Sequence, residues 1–204
     1  VEHRGRGLIR AIMAEIDRDF ADADGMYLFG SDSVEQFYPK FGFEVGKEYI
    51  CSRTVEQAGE STMVRVMMDT AENRDTLRAA IENSCFVTGC TMVHNPELIF
   101  FYVYLFMQDC VFYNEKLGAW VIAEQEEDSL FIYNVFGGAE LALDDVIAAF
   151  GGTVKKVTLG FTPADGTGWE EQEWHEDDCT FFVRDGAVAL FKENKLRIPS
   201  LSHA

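Results

Sequence analysis

A chain of 204 residues has room for one large domain or two small ones at the usual ~100–200 residues each, and its 48% hydrophobic content is enough for a core. Its 35 acidic against 17 basic residues give a formal net charge of −18. That balance argues against sequence-independent nucleic-acid binding, because neutralising phosphates needs a broad basic surface. It suits an amine-bearing ligand better. The five cysteines, Cys51, Cys85, Cys90, Cys110 and Cys179, are scattered and lack any Cys-x-x-Cys spacing, so neither a zinc site nor a disulfide framework is expected and a cytoplasmic setting is. The most apolar run, Leu98 to Met107, falls short of the ~20 residues a membrane-spanning helix needs.

Leu8, Ile9, Ile12, Met13, Ile16 and Phe20 recur at helical spacing, which predicts a helix over 6–20 with a buried stripe. Ahead of it stands His3-Arg4-Gly5-Arg6-Gly7-Leu8. Two glycines spaced Gly-x-Gly bring backbone close to a ligand, and the first amides of the following helix lack carbonyl partners, so the pair predicts an anion cradle. A turn at 22–25 leads to a strand over 26–30. A short helix follows over 32–38, ended by Pro39.

Phe43 to Arg53 is expected to be one strand and Thr62 to Met68 its hairpin partner. A helix is expected over 72–84. Strands are expected over 100–106, 109–114, 119–125 and 129–136, then a helix over 141–150 and a strand over 154–161. The tract from Glu170 to Cys179, which contains His175, is an acidic loop in this reading. Asp185-Gly186 is expected to turn a strand over 179–183 onto another over 188–191.

The motif Glu2-His3-Arg4-Gly5-Arg6-Gly7 resembles the acyl-CoA loop of the GCN5-related N-acetyltransferase (GNAT) superfamily, Gln/Arg-x-x-Gly-x-Gly/Ala. Glutamate stands where that family commonly has Gln or Arg. A second block, Met26-Tyr27-Leu28-Phe29 followed by Phe37-Tyr38-Pro39-Lys40-Phe41-Gly42-Phe43, is similar to its strand, helix and "FY-x-K-x-GF" signature. The resemblance implies an α+β fold with a mixed, mostly antiparallel central sheet flanked by helices. It places the C-terminal half of an acetyltransferase domain at 1–69, with 70–204 resembling a degenerate GNAT-like copy. Strands that precede the Gly-x-Gly turn in the family are then expected upstream, from another part of the chain or from a second copy.

The activity implied is transfer of an acetyl group from acetyl-CoA, as co-substrate, to a primary amine on a small molecule or peptide, by direct attack. In that reading the backbone of His3, Arg4, Gly5, Arg6, Gly7 and Leu8 holds the pyrophosphate, and Tyr38 is the catalytic acid. A phenol is protonated at neutral pH and can donate to a departing thiolate. The competing role for Tyr38 is aromatic packing beside Phe37, Phe41 and Phe43. Ser31 and Asp32 stand where the family often places a cofactor-contacting asparagine, and capping of the next helix is the expected role for both. Val135 to Asp145 occupies the equivalent turn of the second copy, but Glu140, Asp144 and Asp145 would repel phosphate there. No metal, membrane or nucleic-acid partner is expected. The alternative function is a non-catalytic interaction module, including a homodimer formed by strand exchange across an unpaired sheet edge.

Overall fold

The computed structural model describes residues 7–85, 88–93 and 95–203. His3, Arg4, Gly5 and Arg6 of the expected cradle lie outside the described residues. In chain order the elements are α1 (Leu8–Asp19), β1 (Gly25–Gly30), β2 (Glu44–Val45), β3 (Glu48–Thr54), β4 (Val64–Arg65), α2 (Ala71–Glu82), α3 (Pro96–Leu105), β5 (Val111–Asn114), β6 (Ala119–Glu126), β7 (Ser129–Phe136), α4 (Leu143–Ala148), β8 (Lys156–Leu159), β9 (Glu170–Trp174), β10 (Thr180–Asp185) and α5 (Gly186–Glu193). Short 3-10 turns span Asp32–Val34, Tyr38–Phe41 and Ser200–Ser202. The fold is α+β with a mostly antiparallel, mixed sheet, as the sequence implies.

Two compact units divide the chain, one within Val1–Lys47 and His175–Lys195, the other within Glu48–Trp174 and Leu196–Ala204. This differs from the expected boundary between 69 and 70. The reason is strand pairing: the first unit's sheet runs β1-β10-β2, so β10 must return from far along the chain to sit between two early strands. The expected single strand over 43–53 is accordingly two. Gly46 separates them, its amide donating to the Phe181 carbonyl at 2.9 Å.

In the first unit β1 and β10 are antiparallel, with Gly25 opposite Asp185 and Gly30 opposite Thr180. Met13 and Ile16 of α1 pack on Met26, Leu28, Phe43 and Phe182. The rest of the expected apolar stripe is not buried: Leu8, Ile9, Ile12 and Phe20 are each at least half exposed. Three strands make a narrow sheet, and it covers one line of the helix. The expected strand over 188–191 is instead part of α5, whose Phe191 packs edge-on against Phe181 at 4.8 Å. Ala187 and Phe191 share a helical face at i, i+4, a period the short alternation concealed. Gly186 starts this helix because a Cβ there would lie 2.3 Å from the Asp24 carbonyl oxygen.

The second unit carries seven strands in the order β4-β5-β6-β7-β8-β3-β9. All neighbours are antiparallel except β7 and β8, which are parallel and joined through α4. Its sheet is covered on both faces. Ala119, Val121 and Ala123 of β6 contribute to a core with Val146, Ile147 and Phe150, while Trp120 and Ile122 face Leu77, Ile81, Ile99 and Val103 of α2 and α3. Burial on both sides explains why this strand reads as an unbroken apolar run.

Three expectations are corrected here. The run over 100–106 is helical, not extended: the Asn95 side chain accepts from the Leu98 amide at 3.2 Å and Pro96 opens the first turn, a start signal that outweighs the aromatic content. The segment over 62–68 keeps only the two residues of β4 and pairs with β5 instead of β3. The acidic tract yields an edge strand, β9, antiparallel to β3 with Trp174 opposite Glu48. Its exposed glutamates guard that edge against further pairing.

The C-terminal segment returns to this unit. Tyr102 donates its hydroxyl to the His203 carbonyl, and burial together with the Arg197 guanidinium holds the His203 imidazole down to about 4, from an ordinary 6.5. The unfolded chain therefore takes up a proton on lowering the pH through 6.5 that the folded chain refuses until about 4. Stability is expected to fall as pH drops across that window, by up to about 3 kcal/mol. Urea midpoints at pH 7 and pH 4.5 (values set by that window, to about half a unit) check it: His203→Gln should flatten the dependence relative to the parent chain.

Candidate functional site

The first unit presents the start of α1 as its candidate site. Gly7 caps this helix in the left-handed region, φ 73° and ψ 13°, a conformation glycine adopts without a Cβ penalty. A Cβ built on Gly7 would meet nothing among the described residues within 4 Å. The Gly7 carbonyl accepts from Ala11 at 3.1 Å, which begins the helical ladder. Among the described residues no side chain caps the helix, and its first turn holds no carboxylate. The positive end of its dipole therefore meets no carboxylate among the described residues of that turn. By contrast α4 carries Asp144 and Asp145 in its first turn.

Tyr38 belongs to the 3-10 turn Tyr38–Phe41, whose Gly42 closes the turn at φ 83°. Its ring is held by Phe182 at 5.0 Å, Phe37 at 5.4 Å and Phe43 at 6.1 Å. It also lies against the end of β1. A Cβ at Gly30 would come within 2.7 Å of the Tyr38 Cε2 atom, so only glycine lets the ring sit there. Sequence reasoning missed Gly30. Its signal was a glycine at the last position of a strand with no turn of its own to make.

Arg184 ties the end of α1 to the start of β1, its Nη2 reaching Asp17 Oδ1 at 2.5 Å and Met26 Sδ at 3.0 Å. The same guanidinium donates to the Phe41 carbonyl at 3.1 Å and lies over the Phe43 ring.

Ser31 and Asp32 serve the local turn. Ser31 Oγ accepts from the Ser33 amide at 3.3 Å and donates to Asp178 at 2.8 Å, while Thr180 donates to Asp32 at 2.6 Å. His175 pairs with Asp32 at 3.6 Å. Among the described residues no group of three or more His, Cys, Asp or Glu side chains is gathered as a metal site. No helix there is long and apolar enough to cross a membrane.

No protein-family profile and no curated protein sequence matches the chain. Solved structures do. Eis1 from Mycobacterium abscessus is 14% identical with a TM-score of 0.51, covering 92% of this chain and 54% of its own. A GCN5-related N-acetyltransferase from Kribbella flavida is 20% identical with a TM-score of 0.50, covering 91% of this chain and 50% of its own. The chain spans about half the length of these structures. At such identities the likeness concerns architecture, and on that level the chain carries the fold of the GCN5-related N-acetyltransferases.

Proposed function

We propose that the protein is an acyl-CoA-dependent N-acetyltransferase whose cofactor-binding edge lies at the start of α1. The observation that carries this reading is the N-terminus of α1, opened by a left-handed Gly7 and, among the described residues, without a side-chain cap. The residues fit the ligand: main-chain amides from the Gly7–Leu8 turn and the helix dipole favour a pyrophosphate, and nothing described fills the space above Gly7. His3, Arg4, Gly5 and Arg6 complete the cradle in this proposal.

The chemistry asked of the chain is modest. A neutral amine attacks the thioester carbonyl directly, the C–N bond forms, the C–S bond breaks, and the Tyr38 hydroxyl supplies a proton to the departing sulfur. The amine's surplus proton leaves to solvent or to a base on the acceptor side. Aromatic packing fixes the phenol's position, so packing and catalysis are compatible roles for one ring. The acceptor is a primary amine on a small molecule or peptide, in keeping with the acidic chain. The second unit, with carboxylates in the first turn of α4, does not take part in CoA binding. Incubation of the chain with acetyl-CoA and a panel of primary amines should release free thiol in an amine-dependent way. Binding of acetyl-CoA without thiol release from any amine would favour the non-catalytic module, and association into a homodimer would be read from sedimentation of the same sample.

A further inference from the structure

The second unit holds a cavity that the acetyltransferase reading leaves unused. It has a volume of about 160 Å³ and lies at the Phe136 end of β7, with Ile81 of α2 and Ile99 of α3 in its walls. Met92 and Phe136 extend the apolar lining, and none of the described residues around it is charged. Pockets between helices, and beside the carboxyl ends of parallel strands such as β7, are recurrent ligand sites.

Asn134 is the feature that needs a partner. It follows an irregularity in the pairing of β7 with β6: Ile122 stands opposite Asn134 but Ala123 stands opposite Ile132, so Tyr133 is one residue too many. Bulges of this kind re-aim side chains and recur beside functional sites. Here the Asn134 Oδ1 accepts from the Val135 amide at 2.8 Å. Its Nδ2 meets no acceptor among the described residues, although Asn134 is only 8% exposed. That nitrogen is accessible and not sealed in packing, and the residue lines the cavity, so the donor opens into it. A buried amide left unanswered is costly.

Water answers it only in part. The cavity has room for several molecules, and most of them would lie against hydrocarbon. An ion would find no counter-charge on these walls. A carbonyl oxygen on a compact apolar body satisfies both the donor and the walls, and a cavity of about this size takes one six-carbon ring. We infer that the cavity binds a small uncharged carbonyl compound of about six to eight heavy atoms, its oxygen accepting from Asn134 Nδ2 and its hydrocarbon lying against Ile81, Ile99 and Phe136.

Amide NMR of the whole chain during titration with cyclohexanone tests it. Saturable shifts are expected at the Asn134 side-chain amide and around Ile99 and Phe136. Methylenecyclohexane, which carries a CH2 group in place of the oxygen, should bind at least about tenfold more weakly because it leaves the donor unanswered. Cyclohexanecarboxylate, which is charged, should give no saturable shift there. Asn134→Leu removes the donor and should bring ketone and hydrocarbon to within about threefold of each other. Equal affinities for the two in the parent chain overturn the inference even where Asn134→Leu fails to fold. So does the absence of saturation by about 10 mM cyclohexanone, the result expected of a cavity that holds water only, and so do shifts confined to the start of α1.

Discussion

Replacement of Tyr38 by phenylalanine is expected to lower turnover by about 10²–10⁴-fold while leaving acetyl-CoA affinity within about threefold. The split follows from what the side chain touches. Phe182, Phe37, Phe43 and the bare backbone of Gly30 hold the ring. Phenylalanine fills the same space and keeps those contacts, so the fold and the cradle at Gly7 are preserved and only the proton donor is lost. Steady-state thiol release, set beside calorimetry with acetyl-CoA, separates the two quantities. Turnover equal to that of the parent chain would assign Tyr38 to packing alone.

The second large effect concerns stability. Phe150 is 1% exposed and meets Phe112 edge-on at 5.3 Å within the core beneath α4. Truncation to alanine removes its apolar contacts and leaves a cavity that a sheet covered on both faces cannot collapse around, at a cost of about 3–5 kcal/mol. With a urea m-value of about 2 kcal/mol per molar, the unfolding midpoint should fall by about 2 M. Phe106 provides the contrast, being 70% exposed just after α3. Its replacement by alanine should change stability by no more than about 0.5 kcal/mol. A Phe150→Ala midpoint close to that of Phe106→Ala would contradict the packing described for this unit.

Local signals were legible where one element decides its own form. Gly25–Gly30, Ser129–Phe136 and the helix over Ala71–Glu82 lie within a residue or two of where period and turn residues put them. Pairing across long separations was not legible. The return of Thr180–Asp185 between β1 and β2 depends on contacts about 150 residues apart, which no window of sequence contains. The apolar run at Pro96–Leu105 misled because aromatic content favours a strand, whereas the Asn95-Pro96 start makes it a helix. At the candidate site, Gly7 and Tyr38 were readable from the motifs that carry them. Gly30, which admits the Tyr38 ring, and Arg184, which ties α1 to β1, were not, because their roles arise from a close ring approach and from a guanidinium shared by residues distant in sequence.

The central claim is that the opening of α1 is where an acyl-CoA pyrophosphate rests. Backbone amide NMR of the whole chain during titration with coenzyme A tests it most directly. Saturable shifts centred on Gly7, Leu8 and Ile9, with smaller ones at Gly30 and Tyr38 and none around α4, are the predicted result. Saturable shifts confined to the second unit, or none at Gly7 to Ile9, would contradict it.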